Sequence, residues 1–294
     1  MIMEYDVRLT LTHSYHLPAG NGRHVVRVVP RALDQRQRLK LSMLTITPPP
    51  SEQFDSVDFF GNHTTTFVHA EPHSKMVITM ACRVEIGPPA ALPEAALSAA
   101  QLAGELADLR DLGPQSPMHF LGPSPRLVAD SEIADFARGL RRDGDSVAAT
   151  VLRLGEALHG IMTFDATATT VDSDPVDAFR LKRGVCQDYS HIMILALRAL
   201  NIPAGYVSGY LRTLPPKGGT RLEGADAMHA WVKAWCGAAL GWVEYDPTNR
   251  CVVGTDHIVV GYGRDYADVS PDIGHLRSAG NQTTAQSVDV KVVV

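Results

Sequence analysis

The sequence predicts an α+β protein, in which a sandwich-like antiparallel β region precedes a core built from a buried central helix on an antiparallel sheet. Three observations predict it. From residue 3 to about 87, short runs of alternating or β-branched residues are divided by Gly, Pro and Asn, as strands are. From about 91 to 160 the chain becomes rich in alanine and leucine at helical spacing. Between Cys186 and Leu200 the apolar residues go all the way round a helix, which marks a buried one, and strand-like runs follow. The bulk composition agrees. With 294 residues, 45% hydrophobic and 20% charged, the chain can form one large or two smaller domains and needs no disulfide or metal as a staple.

The first strands are "YDVRLTLTHSY", "RHVVRVVPR", "QRLKLSMLTITP", "HTTTFVHA" and "KMVITMACRVEI". "GPPAALPE" breaks the pattern, so the β region is placed at 1–88, a helical segment at 89–160 and the core, with C-terminal strands, at 161–294. Helices are expected in "AALSAAQLAGELADL", "SEIADFARGL" and "SVAATVLRLGEALHG". The second has Ser131 as its N-cap ahead of Ile133, Phe136 and Leu140. "GPQSPMHFLGPSPR" is a Pro-rich loop. The buried helix ends at "NIP", with Asn201 as C-cap and Pro203 beyond. Then "AGYVSGYLR" reads as a strand and "TLPPKGGTRLEGADAM" as a loop. "HAWVKAW" and "GWVEYD" read as a hairpin around "CGAAL". "HIVVGYGRDYADVSP" and "TTAQSVDVKVVV" add strands at the end.

A net charge of −5 with no long Lys/Arg run argues against nucleic acid or an anionic membrane as partner. No stretch approaches the roughly 20 apolar residues of a membrane span. The N-terminus has no basic region followed by an apolar segment, so no signal peptide is expected and cytoplasmic location is the default. Cys82, Cys186, Cys236 and Cys251 are scattered without a C-x-x-C pair, and the histidines form no H-E-x-x-H. No disulfide, metal or cofactor is expected. Sheet edges leave room for a homo-oligomer.

In "KRGVCQDYSHIMILALRAL" a thiol opens the buried helix. A lone buried cysteine is commonly just packing. A helix N-terminus, however, favours thiolate over thiol, and Gly184 ahead of it permits a tight turn and close approach of a substrate. Asp188 opposes the thiolate, so a base is needed. In "HAWVKAW", His229, Trp231, Lys233 and Trp235 share one face of the strand. In "GWVEYDPTN", Trp242, Glu244 and Asp246 share one face. If the strands pair, His229 and Asp246 both lie at the ends away from the turn, where a carboxylate would orient the imidazole. The arms are unequal, so a bulge or irregular start near His229 is expected to reconcile the register.

"RGVCQDYSHIMILALRALNIPAGYVSGYL", "MHAWVKAW", "GWVEYDPTN" and "VGYGRDYADVSP" resemble, in that order, the transglutaminase-like superfamily with its papain-like core. "VVPR", "DFFGNHTTTF" and "HSKMVITMACRVEI" resemble the β-rich N-terminal region of its bacterial members. The resemblance implies Cys186 as nucleophile, His229 as general base and then acid, and Asp246 as orienting residue. It also implies a thioester acyl-enzyme. The Cys186 backbone N–H is an oxyanion candidate, with adjacent Gln187 as a second candidate of unknown side-chain direction. Tyr189, Tyr206 and Trp231 are candidates to shape an acyl-binding cleft, although aromatics on such strands are commonly core. His191 reads as a packing or hydrogen-bonding residue. The animal crosslinking enzymes carry Trp after the nucleophile, where this chain has Gln187, and no calcium-like acidic loop is present. The expected activity is therefore thiol-dependent hydrolysis of a peptide or small amide. Transamidation, or a catalytically silent binding module, remain as alternatives.

Overall fold

The structure, a computed structural model, describes residues 2–89, 97–213 and 227–293. Five strands open the chain: β1 (Met3–Val26), β2 (Gln37–Thr47), β3 (Glu52–Val57), β4 (His63–His69) and β5 (His73–Ile86). The two runs expected at the start are one 24-residue strand, β1. Its first part pairs antiparallel with β5, Tyr5 against Val84 and Leu9 against Met80. Its last part pairs with β4, His24 against Phe67. The strand order is β2-β5-β1-β4-β3. Alternation decides which side faces in: Tyr5, Val7, Leu9 and Leu11 are buried, while Asp6 and Arg8 are exposed. The sheet curls along β1, so Tyr5 and Leu9 from one end share a core with Val26 and Phe67 from the other.

The helical part holds α1 (Ala99–Asp108), a short 3₁₀ turn at Pro117–Phe120 inside the Pro-rich loop, α2 (Ser131–Leu140) and α3 (Val147–Ile161). Ser98 and Ser146 cap α1 and α3. The cap of α2 is Asp130 rather than Ser131: the Asp130 carboxylate accepts the Ile133 N–H, and Ser131 is the first helical residue. The carboxylate does there what a hydroxyl one residue later was expected to do.

The chain continues through β6 (Thr163–Phe164), α4 (Pro175–Leu181), β7 (Arg183–Gly184) and α5 (Cys186–Ala199). Leu200 is the C-cap of α5, and Asn201 follows it with φ 58°, the left-handed position Asn tolerates. From Gln187 to Leu197 every side chain of α5 is buried. Then come β8 (Ala204–Leu211), β9 (Ala227–Trp235), β10 (Trp242–Asp246), β11 (Cys251–Val252) and β12 (His257–Gly263). They form an antiparallel sheet in the order β11-β10-β9-β8-β12, and the hairpin of β9 and β10 pairs Trp235 with Trp242.

After α6 (Tyr266–Val269) the chain leaves this sheet. β13 (Asp272–Arg277) and β14 (Gln282–Val292) both pair with β1, Val290 against Val7. The terminal strands, grouped with the core from sequence order, thus complete the N-terminal sheet. Alternation reports a strand but not its partner, and here the buried faces of Val288 and Val290 belong to the core around Leu9. The break at "GPPAALPE" and the loop "TLPPKGGTRLEGADAM" lie mostly outside the described residues. No described helix is long and apolar enough to cross a membrane.

Two packings position the site. Ala230, Val232 and Ala234 of β9 join Ile192, Met193 and Leu197 of α5 in one core. Tyr210, Ile258 and Val260, from β8 and β12, join the core of the curled sheet. Arg36, between β1 and β2, reaches Glu244 on β10.

Candidate active site

Cys186 is the first residue of α5, where the amide has no partner in the helix's own ladder. Val185 ahead of it has no capping side chain, and Asp188 does that work. Its Oδ2 accepts the Val185 N–H at 2.7 Å and the Thr169 hydroxyl at 2.6 Å. Burial raises the Asp188 pKa, against the pull of those two donors. Gly184 makes room for this carboxylate: a Cβ there would stand 2.5 Å from Asp188 Oδ2. The close approach that Gly184 allows is therefore made by Asp188, and not by a substrate.

Cys186 is half-buried and free. The His229 ring hydrogen-bonds Asp246, and Cys186 is the other side chain that raises its pKa. His229 Nε2 donates to Asp246 Oδ2 at 2.7 Å, which leaves Nδ1 as the ring nitrogen for the sulfur. His229 lies on β9 opposite Gly209 of β8. On the other side of β9 the regular register puts Tyr245 against Val232. Asp246 is thus a diagonal neighbour of His229 on one face of the sheet, within reach of side chains of this length. No bulge is needed.

Asp246 is fully buried and takes five N–H donors. Oδ1 accepts the backbone N–H groups of Thr248 (2.9 Å) and Asn249 (3.0 Å). Oδ2 accepts from His229, from Asn249 Nδ2 (2.7 Å) and from His257 Nε2 (3.1 Å). Burial alone would raise its pKa, but the donors outweigh burial and hold the carboxyl well below its usual range. Burial likewise pushes His229 down, yet Asp246 and Cys186 carry it up to about 10. The pair is a buried imidazolium and carboxylate, with Cys186 as a further partner of the imidazole.

The structure brings Cys186, His229 and Asp246 together and treats the other expected residues differently. The Gln187 side chain is buried, and its Nε2 donates to Val171 O at 3.0 Å. Tyr189 and Tyr206 belong to the core around α5, and Tyr206 has Cys186 among its electrostatic neighbours. Trp231 is wholly buried, with its indole N–H donating to Glu244 Oε2 at 2.7 Å. These aromatics back the site from inside. His191 is buried and accepts the Tyr266 N–H, with burial lowering its pKa to about 4. Two residues of the site, Asn249 and His257, were not marked by the sequence reading. The turn-prone "DPTN" is the only local signal for Asn249. His257 depends on a pairing between distant strands that leaves no local trace. Ligand atoms of His229, Asp246 and His257 lie within 4.8 Å of one another, but all three are already joined through Asp246 Oδ2.

Residues 134–247 match the transglutaminase-like superfamily, and residues 5–85 match the bacterial transglutaminase-like N-terminal region. An uncharacterized protein of Mycobacterium tuberculosis is 34% identical over 87% of this chain and 82% of its own length. The chain belongs to the transglutaminase-like superfamily, and within it to the bacterial proteins that carry this N-terminal β region. A protein-glutamine gamma-glutamyltransferase of Pseudomonas aeruginosa is 33% identical over 46% of this chain, which is 20% of that protein. The crystal structure of a candidate cysteine protease from Cytophaga hutchinsonii has the same fold. It covers 100% of this chain and 92% of its own, with a TM-score of 0.77 at 21% identity.

Proposed function

We propose that the protein is a thiol-dependent amide hydrolase working through Cys186, His229 and Asp246. The observation that carries this reading is a buried imidazole bonded to a buried carboxylate, with a cysteine at a helix N-terminus as its other side-chain partner. The Cys186 sulfur, as thiolate, attacks an amide carbonyl carbon, and the C–N bond breaks as His229 Nδ1–H gives its proton to the leaving amine. The Cys186 backbone N–H is an oxyanion donor. Water then attacks the thioester, His229 takes its proton, the C–S bond breaks and the thiolate returns. Asp246 holds the imidazolium in place throughout and stays ionised. A second reading, transfer of the acyl group to an amine, is supported by the likeness of the core to the P. aeruginosa gamma-glutamyltransferase.

Peptide amides and γ-glutamyl amides, offered to the wild type and to Cys186→Ala with and without hydroxylamine, test both readings. The expected result is an acyl adduct on Cys186 that is absent from the variant. Release of free acid marks hydrolysis, whereas a hydroxamate as sole product marks transfer. Alkylation of Cys186 by iodoacetamide at neutral pH no faster than that of Cys251 would defeat both.

A further inference from the structure

One histidine at the site has no part in the chemistry just described. His257 is the first residue of β12 and is buried. Its Nε2 lies 3.1 Å from Asp246 Oδ2, the oxygen that also serves His229. Its Nδ1 accepts the Gly254 backbone N–H at 3.4 Å. A ring nitrogen that accepts from an amide carries no hydrogen, so the ring proton is on Nε2 and points at the carboxylate. The Trp231 indole stands edge-on to this ring, with centroids 5.2 Å apart and planes at 81°. Trp231 is in turn fixed through its bond to Glu244.

The strand pairing says why such a donor is needed. The ladder of β10 with β9 ends at Tyr245, so no backbone pair ties Asp246 to the strand carrying His229. Thr248 and Asn249 belong to the same turn as Asp246 and move with it. His257 comes from a different strand, β12, which pairs with β8, the partner of β9. The titratable groups around Asp246 are His229 on β9, His257 on β12, Tyr245 on β10 and Cys251 on β11.

We propose that His257 is a positioning residue: its Nε2–H fixes Asp246 Oδ2 against His229 and so ties the acid of the relay to the strand pair that carries the base. This inference rests on the catalytic reading of Cys186, His229 and Asp246.

The test follows the rate of Cys186 alkylation by iodoacetamide from pH 5 to 9 in the wild type, His257→Leu and His257→Gln, with thermal unfolding of all three. Leu offers no donor, and the rate at pH 7 is expected to fall roughly 10-fold or more, with a displaced pH profile. Gln places an amide N–H near the Nε2 position and is expected to recover most of the rate, at a melting temperature like that of the Leu variant. A Leu variant as reactive as the wild type overturns the proposal. So does a Gln variant as slow as Leu, because packing alone would then explain the residue. A wild-type Cys186 no faster than Cys251 sinks the catalytic reading and this inference with it. Histidine 15N spectra of the wild type add a check that needs no stable variant. The expected signature of His257 is a protonated Nε2 and a bare Nδ1, and the opposite tautomer refutes the proposal.

Discussion

Five donors on one carboxylate make Asp246 the most constrained group of the site, and its bond to His229 is the largest of the effects that raise that imidazole's pKa. In Asp246→Asn the geometry is nearly kept and the charge is lost, leaving a buried ring without its counter-ion. The expected cost at neutral pH is about 3–5 kcal/mol of stability, with slower alkylation of Cys186. The pH dependence has a definite sign. His229 has a raised pKa, so its contribution is complete below about 6.5, its ordinary value, and fades as the pH rises through about 10. Asp246 has a depressed pKa, so its contribution is complete above 3.8, its ordinary value, and fades only as the pH falls well below it. The gap in melting temperature between wild type and Asp246→Asn should therefore be widest from about pH 4 to 6.5 and close toward pH 10. A gap that widens on the alkaline side would show that this ion pair is not what the substitution removes.

The first turn of α5 depends on an arrangement among Gly184, Val185 and Asp188, in which the third caps the helix through the second and occupies the space left by the first. Gly184→Ala puts a methyl group 2.5 Å from Asp188 Oδ2 and 2.8 Å from its Cβ and Cγ. None of these atoms can yield without releasing the Val185 N–H, so a loss of about 1–3 kcal/mol is expected, together with lower Cys186 reactivity. Unchanged stability and alkylation would mean the turn is looser than this. At this scale most of the protein was legible in its sequence. The apolar wheel of α5 and the alternation in β9 and β10 are local signals, and each element formed where they pointed. What could not be read depends on contacts between distant residues. The role of Gly184 requires knowing where the Asp188 side chain turns. Gln187, an oxyanion candidate whose side-chain direction the sequence does not give, turns instead to the loop carbonyl of Val171. A strand-end histidine such as His257 carries no mark of the carboxylate it will meet.

Across the whole molecule, the N-terminal β region and the core sheet are held together from two directions. Tyr210, Ile258 and Val260 of the core sheet are buried with Leu9, Ile78 and Met80 of the curled sheet. The segment between β1 and β2 reaches back to the core sheet through Arg36, whose Nη1 and Nη2 donate to Glu244 at 2.5 and 3.0 Å. Burial would raise the Glu244 pKa, but Arg36, followed by the Trp231 and Tyr262 donors, outweighs it and holds the carboxylate low. Beside it lies Lys233, buried among Phe120, Trp242 and Tyr262, its pKa lowered to about 7 by that burial. Removing Arg36 leaves Glu244 charged, buried and short of its counter-ion. It also frees the carboxylate that anchors Trp231, against which His257 and His229 are packed. Arg36→Leu should thus cost about 3–5 kcal/mol and slow Cys186 alkylation, although Arg36 itself belongs to the N-terminal region. Because the two regions share a core, heat should unfold the wild type in one calorimetric transition, and the variant should lower that transition as a whole. Two separate transitions in the wild type, or a variant that loses stability while Cys186 keeps its full reactivity, would show that the N-terminal region is attached to the site without supporting it.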